Sequence, residues 1–222
     1  LFTENMGKIT AIAKGAKKSK NKLFSLTMPF SLGQYMLFPG KSIYNLTEGR
    51  LVNSFQGFLT DFEKLTYASY LCELIDIALP EREQNQALFR EFTTAMYLLN
   101  TNALDDEMLM RAFEMKLLFH TGYGLNLSHC SYCRKAITTS NYISLNYYGG
   151  ICEDCPKENY MHISKPGYST LRFLSQSPLD KIYKLTATKE IKQEINKLLS
   201  YIIATNYSRR PKSLEMLNII KE

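Results

Sequence analysis

Two periodicities divide the chain. Up to about residue 56, apolar and aromatic residues come in short runs cut by glycine and proline. Glu4-Asn-Met-Gly7 reads as a turn, and Lys8-Ile-Thr-Ala-Ile-Ala-Lys14 has strand composition. Ser31-Leu-Gly-Gln-Tyr-Met-Leu-Phe38 is broken by Pro39-Gly40, Ser42-Ile-Tyr-Asn-Leu-Thr47 by Glu48-Gly49, and Arg50-Leu-Val-Asn-Ser54 follows. Such runs predict a meander or small barrel. Leu1-Phe2-Thr3 reads as the end of a strand, so a barrel truncated at its start is expected. With the strands before Leu1 restored, the count suits the five of an OB-fold. The same spacing allows an SH3-like barrel.

From residue 60 the period lengthens. Thr60-Asp-Phe-Glu63 has the form of a capping box. Phe62, Leu65, Ser69, Cys72, Ile75 and Leu79 then recur at helical spacing until Pro80. Cys72 on that stripe reads as a core thiol. A second helix is predicted over 85–100, with Leu88, Phe89, Phe92, Ala95, Met96 and Leu99 inward. A third, over 105–120, is apolar nearly all round, which marks a central helix. Arg111, Glu114 and Lys116 interrupt it, either as partly buried ion partners or as one wet edge. Gly122-Tyr-Gly124 ends it. Shorter and longer helices follow over 164–175 and 189–206.

Composition changes this picture only through its distribution. Of the 222 residues, 45% are hydrophobic and 22% charged, as in ordinary globular proteins. No apolar run is long enough to span a bilayer and no secretory signal is recognisable, so a cytoplasmic location is expected. The net charge of +6 is localised: residues 1–22 carry six lysines against Glu4 alone, and residues 205–222 add four basic residues against two acidic ones. A basic stretch of this kind points to a polyanionic partner.

Cysteine spacing carries the strongest chemical signal. Cys130-Ser-Tyr-Cys133 and Cys152-Glu-Asp-Cys155 are two C-x2-C pairs separated by eighteen residues. That is the four-cysteine zinc pattern, in which two residues between cysteines let one turn aim both sulfurs at a tetrahedral ion. Residues 141–150 read as the hairpin that returns the second pair to the first, with Gly149 and Gly150 supplying permissive dihedrals. Disulfides, a redox pair and a relic that no longer binds metal are the competing readings; against the first two stand the missing secretory signal and the absence of a βαβ pattern. His129 could substitute as a ligand. Four thiolates leave no coordination position for water, so one structural zinc ion is expected rather than a catalytic one.

The second signal is Gly15-Ala-Lys-Lys-Ser-Lys-Asn-Lys22, a lysine-rich loop between strands. Lys8, Lys14, Lys17, Lys18, Lys20 and Lys22 suit sequence-independent phosphate contact. Phe24, Phe30, Tyr35 and Tyr44 are candidates for base stacking in such a module. A solvated loop with core aromatics is the plainer alternative. Catalytic patterns are missing: there is no P-loop, no H-E-x-x-H, no zinc-deaminase signature around His120, His129 or His162, and no G-x-S-x-G. This favours a binding protein over an enzyme, with a thiol oxidoreductase as the catalytic reading and a protein-only scaffold as the other rival.

The order of Gly7-Lys-Ile-Thr-Ala-Ile-Ala-Lys-Gly-Ala16, Thr66-Tyr-Ala-Ser-Tyr70, Arg111-Ala-Phe-Glu-Met-Lys-Leu-Leu118, the two C-x2-C pairs and Arg209-Arg-Pro-Lys-Ser213 resembles the bacterial recombination and repair family RecO over nearly the whole chain. The resemblance implies a multidomain α+β protein: an OB-fold at 1–56, a helical domain at 57–126 and 161–222, and a zinc finger inserted at 127–160. It implies a non-enzymatic mediator that binds single- and double-stranded DNA, anneals complementary strands, and acts with RecR to load RecA onto DNA coated by single-stranded-DNA-binding protein. A contact with the acidic C-terminal tail of that coating protein is implied as well. Arg209, Arg210 and Lys212 are chemically suited to it.

Overall fold

The computed structural model describes residues 1–18, 22–101, 104–209, 211–213 and 216. Its first part is β-rich. Strands β1 (Phe2–Thr3) and β2 (Gly7–Lys8) pair antiparallel, and β3 (Ala11–Ile12), β4 (Leu32–Pro39) and β5 (Tyr44–Asn53) form a second sheet in the order β3-β5-β4. Among the described residues this sheet is open, not the closed barrel expected. The run expected as one strand over 8–14 is divided, and its hydrogen bonds explain why. The Lys8 carbonyl accepts from Arg82 N at 2.8 Å, so the chain there bonds to the loop after the first helix instead of extending the sheet.

Strand β5 runs through Glu48-Gly49, which the sequence reading takes as a turn. Gly49 is required by close approach: a Cβ there would lie 2.6 Å from the Gln34 carbonyl oxygen and 2.9 Å from Leu26 Cδ1. The short 3-10 turn at Ser25–Thr27 presses Leu26 against the sheet, where it packs with Ala16, Leu23 and Leu46 in a small core of its own.

The remaining chain builds the main core. Helix α1 (Phe62–Ala78) packs on α2 (Gln86–Thr101) and on the central α3 (Asp106–His120). Strands β6 (Tyr142–Ser144), β7 (Gly149–Gly150) and β8 (Tyr160–His162) follow, then α4 (Lys165–Gln176) and α5 (Lys189–Asn206). The main core takes side chains from every helix and also Leu127, Ile143 and Ile163 from the cysteine-bearing segment.

Helix starts follow local chemistry, with one shift. Asp61, not Thr60, caps α1 by accepting from Lys64 N at 3.1 Å, while the Thr60 hydroxyl turns back to the Gly57 carbonyl. The buried stripe of α1 also differs from the expected one. Phe62 is 60% exposed, whereas Thr66, Tyr67, Tyr70, Leu71 and Leu74 are buried. The helix is gripped from two sides, by α2 and by α3, so its buried arc is wider than one apolar stripe and admits polar-tipped tyrosines. Cys72 lies at the rim of that arc, half-buried, its thiol pushed up to about 12 by burial first and by Glu73 second.

Asp105 caps α3, accepting from Met108 N at 3.0 Å, and also receives Lys192 Nζ from α5. Burial raises this carboxyl, but the Lys192 and Met108 bonds outweigh it and hold it below its ordinary value. A depressed carboxyl contributes stability above its unfolded pKa and loses it as pH falls through the folded one. Asp105→Ala is therefore expected to cost about 1 kcal/mol at neutral pH, the value of a lost cap. In urea titrations the gap to the unmodified protein should close below roughly pH 4. A gap that persists undiminished in acid would remove Asp105 as its source.

Candidate metal centre and nucleic-acid surface

Four sulfurs meet beside β6 and β7. Cys130, Cys133, Cys152 and Cys155 lie with their Sγ atoms all within 4.8 Å of one another, and Cys133 Sγ is 3.7 Å from Cys152 Sγ. A tetrahedron with metal–sulfur bonds of about 2.3 Å has edges of about 3.8 Å, so the donors stand where one ion could hold them. All five cysteines of the chain are free thiols in this arrangement, which is not that of disulfides. His129 lies outside the group.

The turns aim the sulfurs. Arg134 N donates to Cys130 O at 3.1 Å and Cys130 N to Lys135 O at 2.8 Å, with Arg134 in the left-handed region at φ 63°. Cys155 N donates to Cys152 O across the second turn. The hairpin glycines act through space and not through dihedral freedom, contrary to expectation. A Cβ on Gly149 would lie 2.6 Å from Asn126 O, and one on Gly150 would lie 2.3 Å from the Tyr168 hydroxyl. The left-handed residue at this turn is Tyr148. Strand β8, unforeseen in the sequence because Tyr160-Met161-His162 is too short for a period to register, closes the sheet in the order β7-β6-β8.

The thiols of the cluster are unevenly tuned. Burial raises the Cys130 thiol, yet the amides of Cys152, Cys133 and Tyr132 outweigh it and bring it down to about 6. Cys155 is pushed up to about 12, first by hydrogen bonding to Cys152 and then by burial. Four crowded thiols cannot all ionise by themselves. A divalent ion would replace the shared protons.

The basic residues fare unequally. Lys14, Lys17, Lys18 and Lys22 are exposed on a loop anchored inward by Ala16 and Leu23, while Lys20 lies outside the described residues. Lys8 is engaged elsewhere: its Nζ donates to Asp76 O at 2.5 Å and to Asp76 Oδ1 at 3.0 Å. The other Asp76 oxygen binds Arg209, so one carboxylate ties β2, α1 and the C-terminal segment together. Ser213 reinforces the tie through Glu73 Oε2. Lys212 is exposed, and Arg210 lies outside the described residues.

Of the four aromatic candidates, Phe24 presents a large exposed surface, at 43%. Phe30 packs edge-on to Phe58, Tyr35 hydrogen-bonds Ser31 O at 3.0 Å, and Arg82 covers Tyr44. Met36 and Phe38, outside those four candidates, are 52% and 55% exposed on β4. The alternation with inward Tyr35 and Leu37 is the signal that could have found them.

Two family models match the chain. The family model described as "Recombination protein O N terminal" matches residues 1–55, and "Recombination protein O C terminal" matches residues 59–215. Three similar curated proteins are each described as "DNA repair protein RecO". That of Clostridium perfringens (strain SM101 / Type A) is 60% identical over 222 residues, covering 100% of this chain and 99% of the relative. That of Clostridium acetobutylicum is 50% identical over 222 residues, covering 100% and 90%. That of Symbiobacterium thermophilum is 30% identical over 226 residues, covering 100% and 89%.

Proposed function

The chain belongs to the RecO family of DNA repair and recombination proteins, and from that premise we propose that it is a non-enzymatic mediator that binds and anneals single-stranded DNA. With RecR it would help load RecA onto DNA coated by single-stranded-DNA-binding protein. The observation that carries the reading is the group of exposed loop lysines Lys14, Lys17, Lys18 and Lys22, near the exposed Phe24. Such cations neutralise phosphates of single or double strands without reading sequence. Annealing follows when two strands are held close with their charge screened and their bases left free. Lys212 remains a candidate contact for the acidic tail of the coating protein; Arg209 would have to leave Asp76 to take part.

In this reading Cys130, Cys133, Cys152 and Cys155 hold one structural zinc ion, which clips the hairpin and performs no chemistry. No helix among the described residues is long and apolar enough to cross a membrane. We place the protein's work in the cytoplasm, at the nucleoid, where its DNA partner is.

The test is DNA affinity as a function of salt. Replacing Lys14, Lys17, Lys18 and Lys22 together with alanine should weaken single-strand binding. It should also flatten the log–log salt slope by about 3 if all four contact phosphates, at about 0.7 each. An unchanged slope sinks this assignment. A wild-type protein that single-stranded DNA fails to retain even at low salt would favour a scaffold that binds only protein.

A further inference from the structure

We propose that the outer face of β8 is a second contact for single-stranded DNA, a stacking platform on which one unpaired base packs against Tyr160 and His162. This deepens the DNA-binding reading above and rests on it. Three features carry it.

The first is exposure forced by the strand period. β8 is an edge strand whose Met161 packs against the main core, so residues 160 and 162 point the other way. Tyr160 is 43% exposed and His162 is exposed as well. Among the described residues neither the Tyr160 hydroxyl nor the His162 ring makes a protein hydrogen bond.

The second is ring geometry. Tyr142, opposite His162 across the sheet, stands at 90° to Tyr160 with centroids 5.1 Å apart, and at 87° to His162 at 6.0 Å. Tyr160 and His162 themselves are not in ring contact. Residues two apart on a strand are separated by about 6.7 Å, which is two base-stacking spacings. Tyr142 braces both side chains edge-on, and their exposed surfaces offer one planar ring a neighbour to pack against. Unstacked bases seek such surfaces, with flanking hydrogen bonds available from the free hydroxyl and imidazole.

The third is charge. Lys157 Nζ lies 5.6 Å over the Tyr142 ring, placed to meet a phosphate beside the stacked base. The segment 127–160 otherwise balances Arg134, Lys135 and Lys157 against Glu153, Asp154 and Glu158. Attraction here would come from stacking and not from a field, and duplex DNA, whose bases are already stacked, offers nothing to it.

The experiment measures equilibrium binding of wild type, Tyr160→Ala/His162→Ala and Tyr160→Phe/His162→Phe to an unstructured single strand and to a duplex, each over a salt series. The alanine pair should lose about tenfold in single-strand affinity, within the range for removed stacking partners. Its duplex affinity and salt slope should stay unchanged, and the phenylalanine pair should bind as wild type. Unchanged single-strand affinity in the alanine pair overturns the platform, as does an equal loss on both DNAs. Either outcome leaves the wider DNA reading standing. That reading fails, and the platform with it, if wild type binds neither DNA.

Discussion

Glu114→Ala is expected to cost roughly 3–5 kcal/mol of folding stability, the range for breaking one partner out of a buried ion pair. Arg111 and Glu114 are 2% and 0% exposed in the middle of α3, with Arg111 Nη2 2.9 Å from Glu114 Oε1. The same oxygen accepts from the Tyr70 hydroxyl on α1 at 2.5 Å, and Arg111 Nη1 donates to Asn196 on α5. One network therefore joins three helices through the core. Burial by itself would lower the Arg111 pKa, but Glu114, with smaller contributions from Tyr70, Glu107 and Tyr67, outweighs it and leaves the guanidinium more firmly protonated than usual. Remove Glu114 and that cation stays, dry and uncompensated, together with a tyrosine hydroxyl that has lost its acceptor. Arg111→Met/Glu114→Leu should recover much of the loss, because two apolar side chains carry no desolvation cost. Urea titration measures both. A Glu114→Ala variant within 1 kcal/mol of wild type would show that the pair is not held as described.

Cys130→Ser should abolish metal binding and destabilise residues 127–162 before the rest. Elemental analysis of protein purified under reducing conditions is expected to give one zinc per chain for wild type and none for the variant. An ion present at a thousandfold over its dissociation constant contributes about 4 kcal/mol to the folded state, so chelation should lower apparent stability by that order. The effect should also travel. Tyr168 on α4 donates to Leu127 O at 3.0 Å, and Leu127, Ile143 and Ile163 belong to the main core. Hydrogen exchange would show protection lost first in β6, β7 and β8 and then in α4. Wild-type protein free of metal, with β6 to β8 fully protected, would mean that packing alone holds the hairpin.

Much of this was legible in the residues. The helices over 86–101, 106–120, 165–176 and 189–206 announce themselves by period, because a long amphipathic run repeats its apolar face several times. The cysteine quartet is legible because two C-x2-C pairs form a local pattern, and the fold brings their four sulfurs together. The short strands were less so. Two or three residues cannot establish a period, so β8 carries no signal of its own and β2 and β3 read as one run. Gly49 reads as a turn in the sequence and serves as a gap for Leu26 in the fold. Phe62 looks like core and faces solvent. In each case the deciding neighbour is remote in the chain.

The opposite fates of chemically alike residues mark the division most clearly. By itself the sequence determined the family, the helical scaffold, the paired cysteines and the concentration of lysines near the N-terminus. Each of these is a property of local pattern or composition. Only the tertiary structure decided that Lys8 and Arg209 share Asp76 while Lys14, Lys17, Lys18 and Lys22 stay exposed, and that Arg111 and Glu114 form a buried pair and not a wet edge. It likewise decided that Tyr160 and His162 stand exposed while Tyr168 is buried. Those outcomes depend on which surface meets which, and a side chain's charge or ring is engaged or available according to what the fold packs beside it.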